Sequence, residues 1–86
     1  LQTSIAILNN PVYNELAFYC QTDKKMSVAI EISDMSGKLV SKSEDMLYSG
    51  KSKYTIPLTA LATGMYFITL KGNGINFNGK FVKAIH

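Results

Sequence analysis

The sequence predicts an all-β fold, an immunoglobulin-like antiparallel β-sandwich of about seven strands, on three observations. Apolar and polar residues alternate through most of the chain, as they do in half-buried strands. No window keeps apolar residues at i, i+3, i+4 and i+7 through successive helical turns. Turn signals built from Gly, Pro, Asn and Asp recur about every 8–12 residues, the spacing of short strands in a sandwich. At 86 residues the chain fits one domain. A domain of this size buries only about 60–65% of the surface its unfolded chain exposes, so nearly every apolar residue must serve the core.

The opening run Ser4-Ile5-Ala6-Ile7-Leu8 reads as a strand that stops at Asn9-Asn10-Pro11, because Pro lacks the ladder donor and restricts the residue before it. A second strand is expected from about Glu15 to Gln21, followed by the polar turn Gln21 to Lys25. Met26, Val28, Ile30 and Ile32 then alternate with Ser27, Ala29, Glu31 and Ser33, which predicts a central strand with one buried face. Asp34-Met35-Ser36-Gly37 is a tight hairpin signal, with Asp bonding its own backbone and Gly free to go left-handed; Lys38 to Lys42 is the return strand. Ser43 to Lys53 is polar and poorly periodic, so a loop or an irregular edge strand is expected, with a turn at Ser49-Gly50. Tyr54 to Leu58 alternates again, and Pro57 on its outward phase places it at a sheet edge or on the side needing no donor. A crossover, Thr59 to Gly64, leads to a strand from Met65 to Lys71; Gly72-Asn73-Gly74 closes a hairpin onto a last strand from about Ile75 to Ile85, with Asn78-Gly79 expected as a bulge. Leu61, Gly64 and Tyr66 fit the corner in which a Tyr at the start of a late strand bonds back to the preceding crossover; an ordinary core tyrosine fits the spacing equally.

Charge and cysteine content exclude several classes. The nine basic residues are all Lys, scattered or paired only at Lys24-Lys25, and no Arg is present to grip phosphate or guanine bidentately, so no nucleic-acid partner is expected. Cys20 cannot form an internal disulfide, and with His86 it offers too few ligands for a zinc site, so neither metal nor cofactor is expected. Cys20 shares its phase with Leu16 and Phe18, which predicts a buried small hydrophobe rather than a reactive thiol. The longest apolar stretches are a few residues, well short of the about 18 needed for a membrane helix. The chain begins on Leu1 and enters a strand at once, so it is expected to be a piece of a longer polypeptide, with any export signal outside it.

No constellation for catalysis emerges, and no enzyme and no small-molecule substrate are expected. His86 reads as a frayed end, Asp34 as a turn former, Glu15 and Glu31 as the polar phase of strands, and Glu44-Asp45 as a solvated loop pair. Tyr13, Tyr19, Tyr48, Tyr54 and Phe77 supply the aromatic groups a sugar-stacking platform needs, so a surface adhesin or carbohydrate-binding accessory module is the alternative reading.

Four segments, in order, resemble the type A C-terminal sorting domains of proteins exported by the Bacteroidetes type IX secretion system. They are Asn10-Pro11-Val12 with Glu15-Leu16; the hairpin Ile30 to Val40; the crossover and strand Leu58 to Ile68; and the ending Gly79-Lys80-Phe81-Val82-Lys83. The family often has an aromatic residue and a Pro before Asn-Pro, where this chain has Leu8 and Asn9. The resemblance implies a seven-stranded sandwich that serves as an address label at the end of a larger, N-terminal cargo. It implies recognition by the outer-membrane translocon after transit through the periplasm, removal by a sortase-like protease, and a cargo left on the cell surface or secreted. By matching motif, it implies recognition through Gly64 and Tyr66 in the crossover and Lys80, Phe81, Val82 and Lys83 on the last strand. Lys80 and Lys83 would then offer a partner both a strand edge and positive charge; the competing account of these lysines is protection of that edge.

Overall fold

The computed structural model describes residues 3–85; Leu1, Gln2 and His86, including the expected frayed end, lie outside the described residues. Seven strands follow one another without a helix among the described residues: β1 (Ser4–Ile7), β2 (Glu15–Thr22), β3 (Met26–Asp34), β4 (Leu39–Leu47), β5 (Gly50–Pro57), β6 (Gly64–Gly72) and β7 (Ile75–Lys83). They form two antiparallel sheets, β1-β2-β5 and β4-β3-β6-β7, which is the predicted sandwich.

The core follows from the period-two pattern. On β3 the inward phase is Val28, Ile30 and Ile32, and on β6 it is Tyr66, Ile68 and Leu70; Ile30 faces Leu70 and Ile32 faces Ile68 across the ladder. The three-stranded sheet answers with Leu16, Phe18, Cys20 and Ile56. Each such side chain contributes about 1.5–3 kcal/mol when fully buried, so the interleaving of these two faces is the main source of stability. Cys20 is buried as expected, and that burial pushes its thiol pKa up. The Asp34 carboxylate accepts from the Ser36 hydroxyl at 2.6 Å and from the backbone N–H groups of Ser36 and Lys38 at 2.9 and 3.1 Å, which fixes the β3–β4 turn.

Three sequence expectations are corrected. Of the two readings of Ser43 to Lys53 the edge strand holds and the loop does not: β4 runs on to Leu47 and β5 begins at Gly50, each at an edge of its sheet, with the turn between them. Its periodicity is hidden because Ser41, Ser43 and Asp45 occupy the inner phase opposite Ile32, Ile30 and Val28, on an edge strand that the narrower opposite sheet leaves uncovered until Leu47. Glu44 and Asp45 are therefore strand residues. Asn78-Gly79 is not a bulge, since β6 and β7 pair in unbroken register from Gly64 with Lys83 to Gly72 with Ile75. A Cβ on Gly79 would meet the Phe77 ring at 3.1 Å and Ile7 Cδ1 at 3.2 Å, so glycine is there for close packing. The last strand ends at Lys83, two residues short of Ile85.

Candidate functional site

β7 and the first half of β6 carry the nominated residues, and strand alternation divides them into two groups. Tyr66, Phe81 and Lys83 point inward and are buried; Gly64, Lys80 and Val82 are exposed. Tyr66 and Phe81 face each other in the ladder, with ring centroids 5.7 Å apart and planes at 23°. The Tyr66 hydroxyl donates to the Ala62 carbonyl at 2.7 Å, so the corner expected from Leu61, Gly64 and Tyr66 is formed, with Leu61 packed against the core. Gly64 sits at φ 150°, a conformation that L side chains rarely adopt, and opens β6 opposite Lys83. Lys83 is 8% exposed, which makes its stem part of the core rim rather than a projecting charge.

The outward phase forms a surface that the nominated residues only partly describe. Met65 lies opposite Val82 and Phe67 opposite Lys80; Phe67 also faces Ser33, beyond which lies Leu39. Met65, Phe67, Val82 and Leu39 are all exposed apolar side chains on the outer face of one sheet. Sequence reasoning passed over Met65 and Phe67, although large apolar residues in the outward phase of a strand were the available signal.

The Asn-Pro-Val segment explains itself here. Val12 is fully buried, its N–H donates to the Val82 carbonyl at 2.7 Å, and its carbonyl accepts from Ala84 N–H at 2.8 Å. Asn10 Oδ1 accepts from Val82 N–H at 2.9 Å. These residues make a short parallel strap across the end of β7, with Val12 bridging to Lys83. Asn9 secures the strap's other side, accepting from Ala17 N–H and donating to the Glu15 carbonyl, both at 2.9 Å.

The remaining chemical candidates are dispersed. Glu31 lies 3.9 Å from the Lys71 ammonium on the outer sheet face, and Asp34 is engaged in its turn. Among the described residues no three His, Cys, Asp or Glu side chains gather as metal ligands. Of the aromatic residues considered for sugar stacking, Tyr54 stacks on Phe18 at 5.4 Å and its hydroxyl accepts from Tyr48 N–H at 2.9 Å, Lys51 lies over Tyr19 at 4.8 Å, Lys25 lies over Tyr48 at 5.4 Å, and Tyr13 is exposed. Phe77 is half-buried on β7.

Comparison with known proteins gives a family and likenesses of fold. A family described as the secretion system C-terminal sorting domain matches residues 6–84. Among solved structures, the β-glucosidase from Listeria innocua in complex with glucose shares a TM-score of 0.53 at 10% identity, over 96% of this chain and 16% of that one. That likeness is one of fold. No curated protein sequence matches significantly.

Proposed function

Because the chain belongs to the family of secretion system C-terminal sorting domains, we propose that it is the address label of a larger cargo protein that precedes it, read by the outer-membrane translocon of the type IX system and then removed by a sortase-like protease. The cargo would enter the periplasm on its own signal peptide and finish on the cell surface or in the medium. The label itself performs no chemistry in this reading. A machine that exports unrelated cargoes needs a rigid surface common to all of them, and function then resides in that surface rather than in a pocket.

The observation that carries the reading is the exposed apolar group Met65, Phe67 and Val82 with Lys80 among them, on the outer face of β6 and β7. β1 begins at the end of the sandwich opposite the end of β7, since Ser4 pairs with Gln21 while Lys83 pairs with Gly64. A cargo attached before β1 would therefore leave this surface clear. Tyr66 and Phe81 support recognition indirectly, by holding β6 and β7 flat against the core.

The test is a fluorescent protein bearing a signal peptide and followed by residues 1–86, expressed with a working type IX system and in a translocon-null strain. Fluorescence outside the cell only in the first strain is the expected result. A folded fusion held in the periplasm of both strains overturns the reading and returns the adhesin or carbohydrate-binding module. Lys80→Ala isolates recognition from folding better than any change at Phe81 or Lys83, which would disturb buried groups.

A further inference from the structure

The backbone of β7 alternates in where its groups point. In an antiparallel pair, successive residues turn their N–H and C=O groups to opposite sides of the strand. The groups of Val82 point away from β6, because the strap takes both of them. By the same alternation those of Asn76, Asn78 and Lys80 also point away, and among the described residues no backbone or side-chain partner meets them. The strap thus covers the end of this edge and leaves its first half open.

Two hollows flank the open half, one on each face. On the outer face a groove of about 320 Å³ is lined by Phe67, Asn78, Gly79 and Lys80. On the inner face a cleft of about 270 Å³ lies between β1 and β7, lined by Thr3, Ile5 and the run from Gly74 to Phe77. Ile5 and Phe77 there are only half-buried. A strand laid on the edge sends its side chains alternately to the two faces, so both hollows receive them.

We infer that Asn76 to Lys80 accept an extended segment of a partner protein as an added strand, with apolar side chains in the inner cleft and a carboxylate facing Lys80 outside. The strap shows that this edge takes a chain from outside the sheet. The charge supports an acidic partner: the open half of β7 ends on the exposed Lys80 and carries no acidic residue, whereas Lys83 is buried under the strapped end. That the partner belongs to the export machinery rests on the reading above; the edge and its two hollows do not.

The test uses the 86-residue chain, labelled for amide exchange by NMR, with the heptapeptide Ser-Val-Glu-Val-Phe-Val-Thr as probe. At saturation, exchange at Asn78 and Lys80 slows about tenfold or more while the β4 and β5 edges are unchanged. Replacing the peptide's Glu with Lys weakens binding about fivefold. Asn78→Pro removes an outward backbone donor that makes no bond to β6, and with it only the exposed side-chain bond that Asn78 Oδ1 accepts from Thr69 at 3.0 Å, so the fold persists and the protection disappears. Should that variant not fold, Lys80→Glu serves instead and reverses the preference between the two peptides. Unchanged exchange at millimolar peptide, protection centred on β4 or β5, or slowing that rises with protein concentration in the absence of peptide each overturn the inference, the last by showing a second copy as occupant. Wild-type export of the Asn78→Pro fusion would reject the edge as the export contact and leave the label reading intact; failed export of the wild-type fusion would do the reverse.

Discussion

β4 and β7 close the two sides of the same four-stranded sheet, each nine residues long and each paired to a sheet neighbour along one side only. β4 places Ser41, Ser43 and Asp45 in its inner phase, carries Lys42 and Glu44, and slips register between Ile32 and Ser33 of its partner. Those are the usual means of making an edge a poor template for another strand. β7 keeps a regular register, carries Ile75, Phe77 and Phe81 in its inner phase beside Gly79 and the buried Lys83, and is covered at one end by the strap. One edge is blunted by its own composition; the other is competent and only partly covered. The sheet is therefore asymmetric in what it offers a partner, and strand count alone does not show it.

The largest expected effect tests whether β7 is bound to the core and β4 is not. Phe81→Ala removes a fully buried ring stacked on Tyr66 and costs about 3–5 kcal/mol. Ser43→Ala, in the inner phase of β4 in the row of Ile30, Leu70 and Phe77, stays within about 0.5 kcal/mol. Urea unfolding measures both. Similar costs at the two sites would mean that β4 is covered after all. Since small domains hold only about 5–15 kcal/mol in total, Phe81→Ala also shows why a truncation through β7 would report on folding before recognition.

Next in size is Gly79→Ala, expected to destabilise by about 1–3 kcal/mol because the new methyl presses on Phe77 and Ile7. A neutral result would mean that the two side chains give way easily. Asn10→Ala removes the bond to Val82 N–H at an exposed site and costs about 1 kcal/mol, with faster amide exchange confined to Val82 and Ala84. Faster exchange along all of β7 would instead show that the strap, not the core, holds the edge.

The same asymmetry set what was legible in the sequence. Where an inner face is apolar, as on β3 and β6, alternation marked the strand and its buried side directly. Where the inner face is polar, as on β4, the signal faded and left a loop and an irregular edge strand equally open. Gly79 was misread because a glycine inside a strand pattern looks alike whether it marks a bulge or a tight contact. Lys83 was expected to present its charge to a partner because of its residue type, although the phase it shares with Phe81 already pointed inward, where it is buried. The strap rests on a contact 72 residues apart in sequence, which no local pattern carries. The four family-like segments now have physical roles as strap, turn, corner and last strand, so much of that signature maintains the fold, and the outward residues between its marks carry the surface.

The smallest effect concerns the turn at which the blunted edge begins. Hydrogen bonds from the Ser36 side chain first, and then from the Lys38 and Ser36 backbone, hold the Asp34 carboxyl below its ordinary pKa. A group whose pKa is lower in the folded chain contributes its full stabilisation above the unfolded pKa and loses it as pH falls through the folded one. Asp34→Asn keeps a side chain able to form the turn but removes the charge. The stability gap between wild type and Asp34→Asn should therefore be largest near neutral pH and close as acid protonates Asp34, beginning in the usual carboxylate range and finishing below it. Because this carboxylate is solvent-exposed, the gap should be smaller than any of the preceding effects and should shrink in salt. Phe81→Ala, which removes no charge, should show no such closing. A gap that persisted at low pH would mean that the turn is set by its backbone alone, and that the start of β4 owes nothing to the charge on Asp34.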